Sequence, residues 1–133
     1  MTPAINLAKK AKIPFTIHQY SHDENHASFG LEAVEKLAVD AKRVFKTLVV
    51  MLDKKIMAVA IIPVAATLSM KHMAKHTHSK KAAMANADAV IRATGYILGG
   101  VSPLAQKKKL LTLIDTTAQN FTSIYVSAGK RGL

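Results

Sequence analysis

Apolar residues occupy both faces of residues 44–52 apart from one lysine and the threonine after it, the pattern of a strand covered on each side. Asp53-Lys54-Lys55 then turns the chain into a second apolar run over 56–62, and the two predict a β-hairpin at the centre of a sheet. Upstream, Thr2 and Pro3 open an amphipathic helix over 3–11, with Ile5, Leu7, Ala8 and Ala11 as its apolar stripe. Residues 15–20 alternate like a half-exposed strand, and 21–28 form a polar loop. A second helix follows over 29–39, with Leu31, Val34, Leu37 and Ala38 on one side. Downstream the pattern predicts a helix over 68–76 capped near Thr67 or Ser69, and another that starts at Asn86 or Asp88 and ends at Gly95. A turn-rich stretch over 95–103 precedes two last strands, 109–114 and 122–127. Helices and strands interleaved this irregularly point to a single α+β domain, a mixed sheet with short helices packed outside.

The exceptional lysine is Lys46. On a strand it points the same way as Val44, Leu48 and Val50. An ammonium in such a place needs a counter-charge, a lowered pKa, or a cavity open to an anionic or carbonyl ligand. The plainer alternative is a lysine at a strand end that snorkels to water.

The chain has 133 residues, half of them apolar, enough for one domain with a real core. Nineteen Lys and Arg against eight Asp and Glu leave a net charge of +11. That excess favours a polyanionic partner, nucleic acid first and an anionic membrane surface second. There is no cysteine, which removes a thiolate nucleophile, a disulfide framework and a cysteine zinc site together. The N-terminus does not read as a signal peptide. The longest uncharged run, 56–70, is broken by Pro63 and too short to span a bilayer. A soluble cytoplasmic protein is the expectation.

Gly95 and Gly100 are spaced as in a phosphate loop, but Val101 stands where that motif demands lysine. What remains is Gly99-Gly100-Val101-Ser102-Pro103, whose glycines allow close backbone approach and whose N–H groups could hold a carbonyl oxygen or a phosphate. An isolated Gly-Gly is more often a plain turn. Ser102 lacks the surroundings of a nucleophile elbow. His72, His76 and His78 have a spacing that could ligate a metal, yet Lys71, Lys75 and Lys80 crowd them. A basic surface helix is the better reading, and no metal or other cofactor is expected. Two basic clusters, 71–81 and 107–109, flank the Gly-Gly loop in sequence and suit a phosphate backbone passing over a pocket. Four Phe, three Tyr and no Trp argue against a platform for long single strands. Tyr20 and Phe29 flank the polar loop, either lining a pocket for one base or small side chain or filling the core.

Taken in order, Thr2-Pro3-Ala4, Phe29-Gly30, Phe45-Lys46-Thr47-Leu48, Gly95-Tyr96, Gly99 through Leu104, Gln106-Lys107-Lys108, Tyr125-Val126-Ser127 and Gly129-Lys130-Arg131-Gly132 closely resemble the YbaK/EbsC proteins. These are free-standing relatives of the editing domain of bacterial prolyl-tRNA synthetases, and the resemblance covers essentially the whole chain. It implies a barrel-like mixed sheet surrounded by short helices. It also implies a trans-editing deacylase that hydrolyses the ester of mischarged tRNA, Cys-tRNA(Pro) foremost, by positioning the substrate and stabilising an oxyanion. A non-catalytic tRNA- or synthetase-binding module with the same fold is the competing expectation, and a small-molecule pocket protein a weaker third.

The implied roles follow the matched residues. Lys46 would meet the ester region of the aminoacylated terminal adenosine, with Gly99, Gly100 and Ser102 in the loop that positions the ester. Tyr20, Phe29, Thr47, Pro103 and Ser127 would line the substrate pocket. Lys107, Lys108, Lys130 and Arg131, chosen for their charge, would meet the tRNA. Partners would be aminoacylated tRNA and prolyl-tRNA synthetase. In the YbaK group the substrate's own thiol is thought to attack the carbonyl, which suits a chain without cysteine. Relatives usually continue past Gly132 into a further strand and helix, so the domain over 1–133 is expected to lack them and to leave a sheet edge open. Ala105 and Ala128 stand where relatives commonly carry glycine, a source of local strain if either position needs a positive φ.

Overall fold

The computed structural model describes residues 1–26 and 28–133, so one position of the predicted 21–28 loop, Ala27, lies outside the described residues. The predicted hairpin is its centre. Strands β1 (Phe45–Leu52) and β2 (Ile56–Pro63) pair antiparallel along their full length, which sets Lys46 opposite Ile62. Asp53 and Lys54 adopt φ of 51° and 56°, and the Lys55 N–H donates to the Leu52 carbonyl at 2.9 Å, closing the turn. Val50 and Val59 are completely buried, each contributing about 1.5–3 kcal/mol by leaving water.

Two short strands flank the hairpin. Strand β3 (Ala82–Met84) pairs antiparallel with β1, and β4 (Leu111–Ile114) pairs parallel with β2, giving a mixed sheet in the order β3-β1-β2-β4. Among the described residues this sheet is open, with β3 and β4 as its edges, so the barrel-like closure is not formed. The two segments that would have extended it are extended chain without a ladder. Residues 122–127 contribute one parallel bridge, Val44 with Tyr125, whose N–H donates to Arg43 O at 2.8 Å. Residues 15–20 are tied at their end by the Tyr20 N–H donating to Gly132 O at 3.1 Å, leaving Phe15 and Ile17 about two-fifths exposed. Alternation in sequence marks an extended chain; it does not supply a neighbour to pair with.

Helices form where caps stand. The Thr2, Ser28, Ser69 and Asn86 side chains accept N–H groups at the starts of α1 (Pro3–Lys10), α2 (Phe29–Leu37), α3 (Met70–His76) and α4 (Ala87–Thr94). Left-handed residues end two of them, Ala38 after α2 and Gly95 after α4. The buried faces differ in part from the predicted stripes. Helix α1 buries Ala4, Ile5 and Ala8 while Leu7 and Ala11 stay outside. In α2, Leu31 and Ala38 are exposed, and the fully buried residue is Glu32. Helix α3 packs with β3 against Val50, Leu52 and Ala60; α1 and α4 bring Ala4 and Val90 against Val49 and Tyr96. No helix among the described residues is long and apolar enough to cross a membrane.

Ala105 adopts φ of 57°, whereas Ala128 is not among the positive-φ residues. A left-handed alanine costs about 1–2 kcal/mol, partly offset by the lower chain entropy of alanine in the unfolded state. Ala105→Gly should therefore stabilise the domain by roughly 0.5–1 kcal/mol in urea unfolding. A loss of stability would show that the Ala105 methyl packs usefully.

Candidate active site

A cavity of about 930 Å³ opens between the start of β1, the N-terminal end of α2, the extended 14–20 segment, the Gly99–Leu104 loop and the last residues of the chain. That is within the range of small-molecule sites. Lys46, Thr47, Tyr20, Phe29, Gly99, Ser127 and Lys130 all line it, brought together from distant parts of the sequence. Lys46 is partly buried, and loss of solvent pushes its ammonium below the ordinary lysine pKa of 10.5. Among the described residues no carboxylate lies within ion-pair distance of it. The Thr47 hydroxyl is buried and has no hydrogen-bond partner among the described residues.

The glycine loop divides into a lining part and a supporting part. Gly99 has φ of 83°, and a Cβ there would lie 2.7 Å from the Phe29 ring, so only glycine lets the loop lie against that wall. The Arg131 guanidinium sits 4.6 Å from the same ring's centroid and donates through Nε to Leu98 O at 2.9 Å. Gly100, Ser102 and Pro103 do not line the cavity. The Gly100 N–H donates to Ile97 O at 2.9 Å, and a Cβ there would meet the Lys130 backbone at 2.8 Å. Ser102 is completely buried; its hydroxyl accepts from Leu104 N–H at 3.2 Å and its carbonyl from Gln106 Nε2 at 3.0 Å. These residues shape the loop from behind. Lys130 is exposed at the rim, while Lys107 and Lys108 are exposed beside the end of α4 and do not reach the cavity. The 71–81 cluster, which precedes the glycine loop in sequence, runs through α3 to the opposite end of β1, where Lys80 and Lys81 lie away from this cavity.

Glu32 was not foreseen as part of the site. It accepts from His22 Nδ1 at 2.7 Å and from the Asp23 N–H at 2.6 Å, and Lys36 Nζ lies 3.2 Å from it. Burial alone would raise its pKa, but the His22, Asp23 and Lys36 interactions outweigh burial and hold it at about 2. Lys36 also donates to Ser21 O. The carboxylate therefore fixes residues 21–23 onto α2, directly after Tyr20 and under Phe29. Burial and the Glu32 charge in turn raise the Tyr20 pKa above 10, so its phenol keeps the proton. The only signal for it in the sequence is the Glu32–Lys36 spacing of four on a helix.

The folded pKa of Glu32 is depressed from 4.5 to about 2. Its stabilising contribution is complete above the unfolded value and is lost as pH falls from there toward the folded one. Glu32→Gln should flatten the acid-side decline of stability between those values, read from urea midpoints against pH. An unchanged acid limb would remove Glu32 from this role. Gly99→Ala should lower stability by at least ~1–2 kcal/mol from backbone strain alone and displace Phe29, which near-ultraviolet circular dichroism and the same urea series would register.

Residues 24–133 match the family model described as aminoacyl-tRNA editing domain. A protein of Enterococcus faecalis, named as a candidate Cys-tRNA(Pro)/Cys-tRNA(Cys) deacylase EbsC, is 36% identical over 132 residues, covering 99% of this chain and 80% of that protein. The crystal structure of a hypothetical protein superposes with a TM-score of 0.83 at 20% identity, covering 98% of this chain and 84% of the other. That of a candidate trans-editing enzyme for prolyl-tRNA synthetase superposes at 0.77 with 14% identity, covering 98% and 82%. At such identities the structural matches establish the fold. The family match, over most of the chain and around the same cavity, carries the assignment: this chain belongs to the aminoacyl-tRNA editing domain family.

Proposed function

We propose that this chain is a trans-editing deacylase that hydrolyses the ester of a mischarged aminoacyl-tRNA, with cysteinyl-tRNA(Pro) as its preferred substrate. The carrying observation is Lys46, a partly buried ammonium without a counter-charge among the described residues, on a cavity large enough for an aminoacylated terminal nucleoside. An aminoacyl ester is already activated, so holding it and stabilising the developing oxyanion suffices for catalysis. Lys46 supplies the positive charge, and Thr47 contributes to the lining beside it. Gly99 and Phe29 form the wall against which the aminoacyl group rests.

For a cysteinyl ester the substrate thiol adds to its own carbonyl and loses its proton. The C–O bond to the ribose breaks and the ribose oxygen leaves with a proton, forming a cyclic thioester that water opens. The chain needs no nucleophile, in keeping with its lack of cysteine. The name of the Enterococcus faecalis relative supports cysteine and tRNA(Pro) as the substrate pair. In this reading tRNA(Pro) selection falls to prolyl-tRNA synthetase acting alongside in the cytoplasm.

Single-turnover deacylation of cysteinyl-, alanyl- and prolyl-tRNA(Pro) tests this. The cysteinyl ester should be cleared fastest and the prolyl ester spared, and Lys46→Ala should slow clearance by about 10²–10³-fold, the usual cost of losing an oxyanion-stabilising group. Because the charged form acts, the Lys46-dependent rate should fall as pH rises through a pKa below 10.5, a limb absent from Lys46→Ala. Full activity in Lys46→Ala, or preferential loss of the prolyl ester, would refute the assignment.

A further inference from the structure

A second basic concavity lies at the opposite end of the hairpin. Lys54, Lys55, Lys80 and Lys81 line a cavity of about 430 Å³ together with Asp53. All four lysines are exposed, and none forms an ion pair among the described residues. The one acid in the lining is occupied: Asp53 Oδ1 accepts from the N–H groups of Lys80 at 3.0 Å and Lys81 at 2.9 Å, and the Asp53 N–H donates to Lys81 O at 2.8 Å. These bonds pin two backbone segments, 53–55 and 80–81, side by side. They hold the lysines together although like charges repel, and Asp53 is the single acid among the four lysines of the lining. Leu52 is six residue steps along β1 from Lys46, about 20 Å at the rise of a strand, so this patch lies far beyond reach of an ester held at Lys46.

Resting on the editing reading, we propose that this concavity is a second contact with the substrate, binding the phosphate backbone of the tRNA's helical stem while the aminoacyl end occupies the Lys46 cavity. Double-helical RNA is recognised chiefly through its phosphates and shape, which suits flexible ammonium groups on a fixed turn. An anionic membrane surface is the other polyanion that such a patch would accept.

The test compares wild type with Lys54→Ala/Lys55→Ala and Lys80→Ala/Lys81→Ala, which leave the Asp53 backbone bonds in place. Two substrates are used: full-length cysteinyl-tRNA(Pro) and a single-stranded oligonucleotide of the tRNA 3′ end carrying the same ester. Each pair should raise the half-saturating concentration of full tRNA, on the order of tenfold, and lower the slope of log affinity against log salt by roughly one to two. The short ester should be cleared as by wild type. Unchanged full-tRNA affinity in both variants overturns the proposal. So does an equal loss on both substrates, or binding to phosphatidylglycerol vesicles that depends on the patch while tRNA affinity does not. Should wild type clear neither ester, the editing reading fails, and the salt slope of tRNA binding in the same variants still decides the role of the patch.

Discussion

A carboxylate with no solvent contact holds the outer wall of the pocket. Glu32 sits where the apolar stripe of α2 would otherwise continue, and its burial is tolerated because three donors surround it. Each donor belongs to a segment that needs fixing. His22 and Asp23 lie in chain without regular structure, and Lys36 reaches back to Ser21. Tyr20, immediately before them, joins the last turn of the chain through Gly132, whose backbone leaves no room for a side chain beside Tyr20 O. An irregular wall thus gains the order that a strand would otherwise have supplied.

The two central charged groups are treated in opposite ways. Glu32 has three donors and is held far below the ordinary carboxylate range; Lys46 has lost solvent without gaining an ion-pair partner among the described residues. In a chain with eight acidic residues against nineteen basic ones, spending a carboxylate on architecture rather than on Lys46 leaves the lysine available to a ligand. β1 makes that arrangement rigid. It is paired on both sides further along, at Val50 to Leu52, so the lysine is carried by one of the best-supported strands in the molecule.

The hairpin and most helix starts were legible because their signals are local: apolar residues on both strand faces, and Thr2, Ser69 and Asn86 as caps, whereas the Ser28 cap of α2 was counted as loop. Lys46 was legible as an exception to such a pattern. Segments 15–20 and 122–127 misled because extended chain and paired strand share one periodicity, and partners are set by tertiary packing. β3, three residues between lysines and a cap, is too short to show a period at all. Glu32 was hidden for the converse reason. Its partners His22 and Asp23 lie outside its helix, and helical periodicity contains no information about a loop folding over it. The glycine loop was half legible. Gly99 stands on the cavity, whereas Gly100 and Ser102 matter through the bonds that keep the loop's shape.

The distribution of positive charge follows from the same hairpin. Its open end carries Lys46 with Lys130 at the rim, and its turn carries Lys54 and Lys55 against Lys80 and Lys81. Between them β1 and β2 are apolar and mostly buried, so the strands separate the two groups instead of spreading charge along one face. A small ligand could engage only one end. A ligand engaging both must be long, stiff and anionic along its length, and a substrate with a reactive ester at the end of a helical stem meets that description where an isolated aminoacyl nucleoside does not.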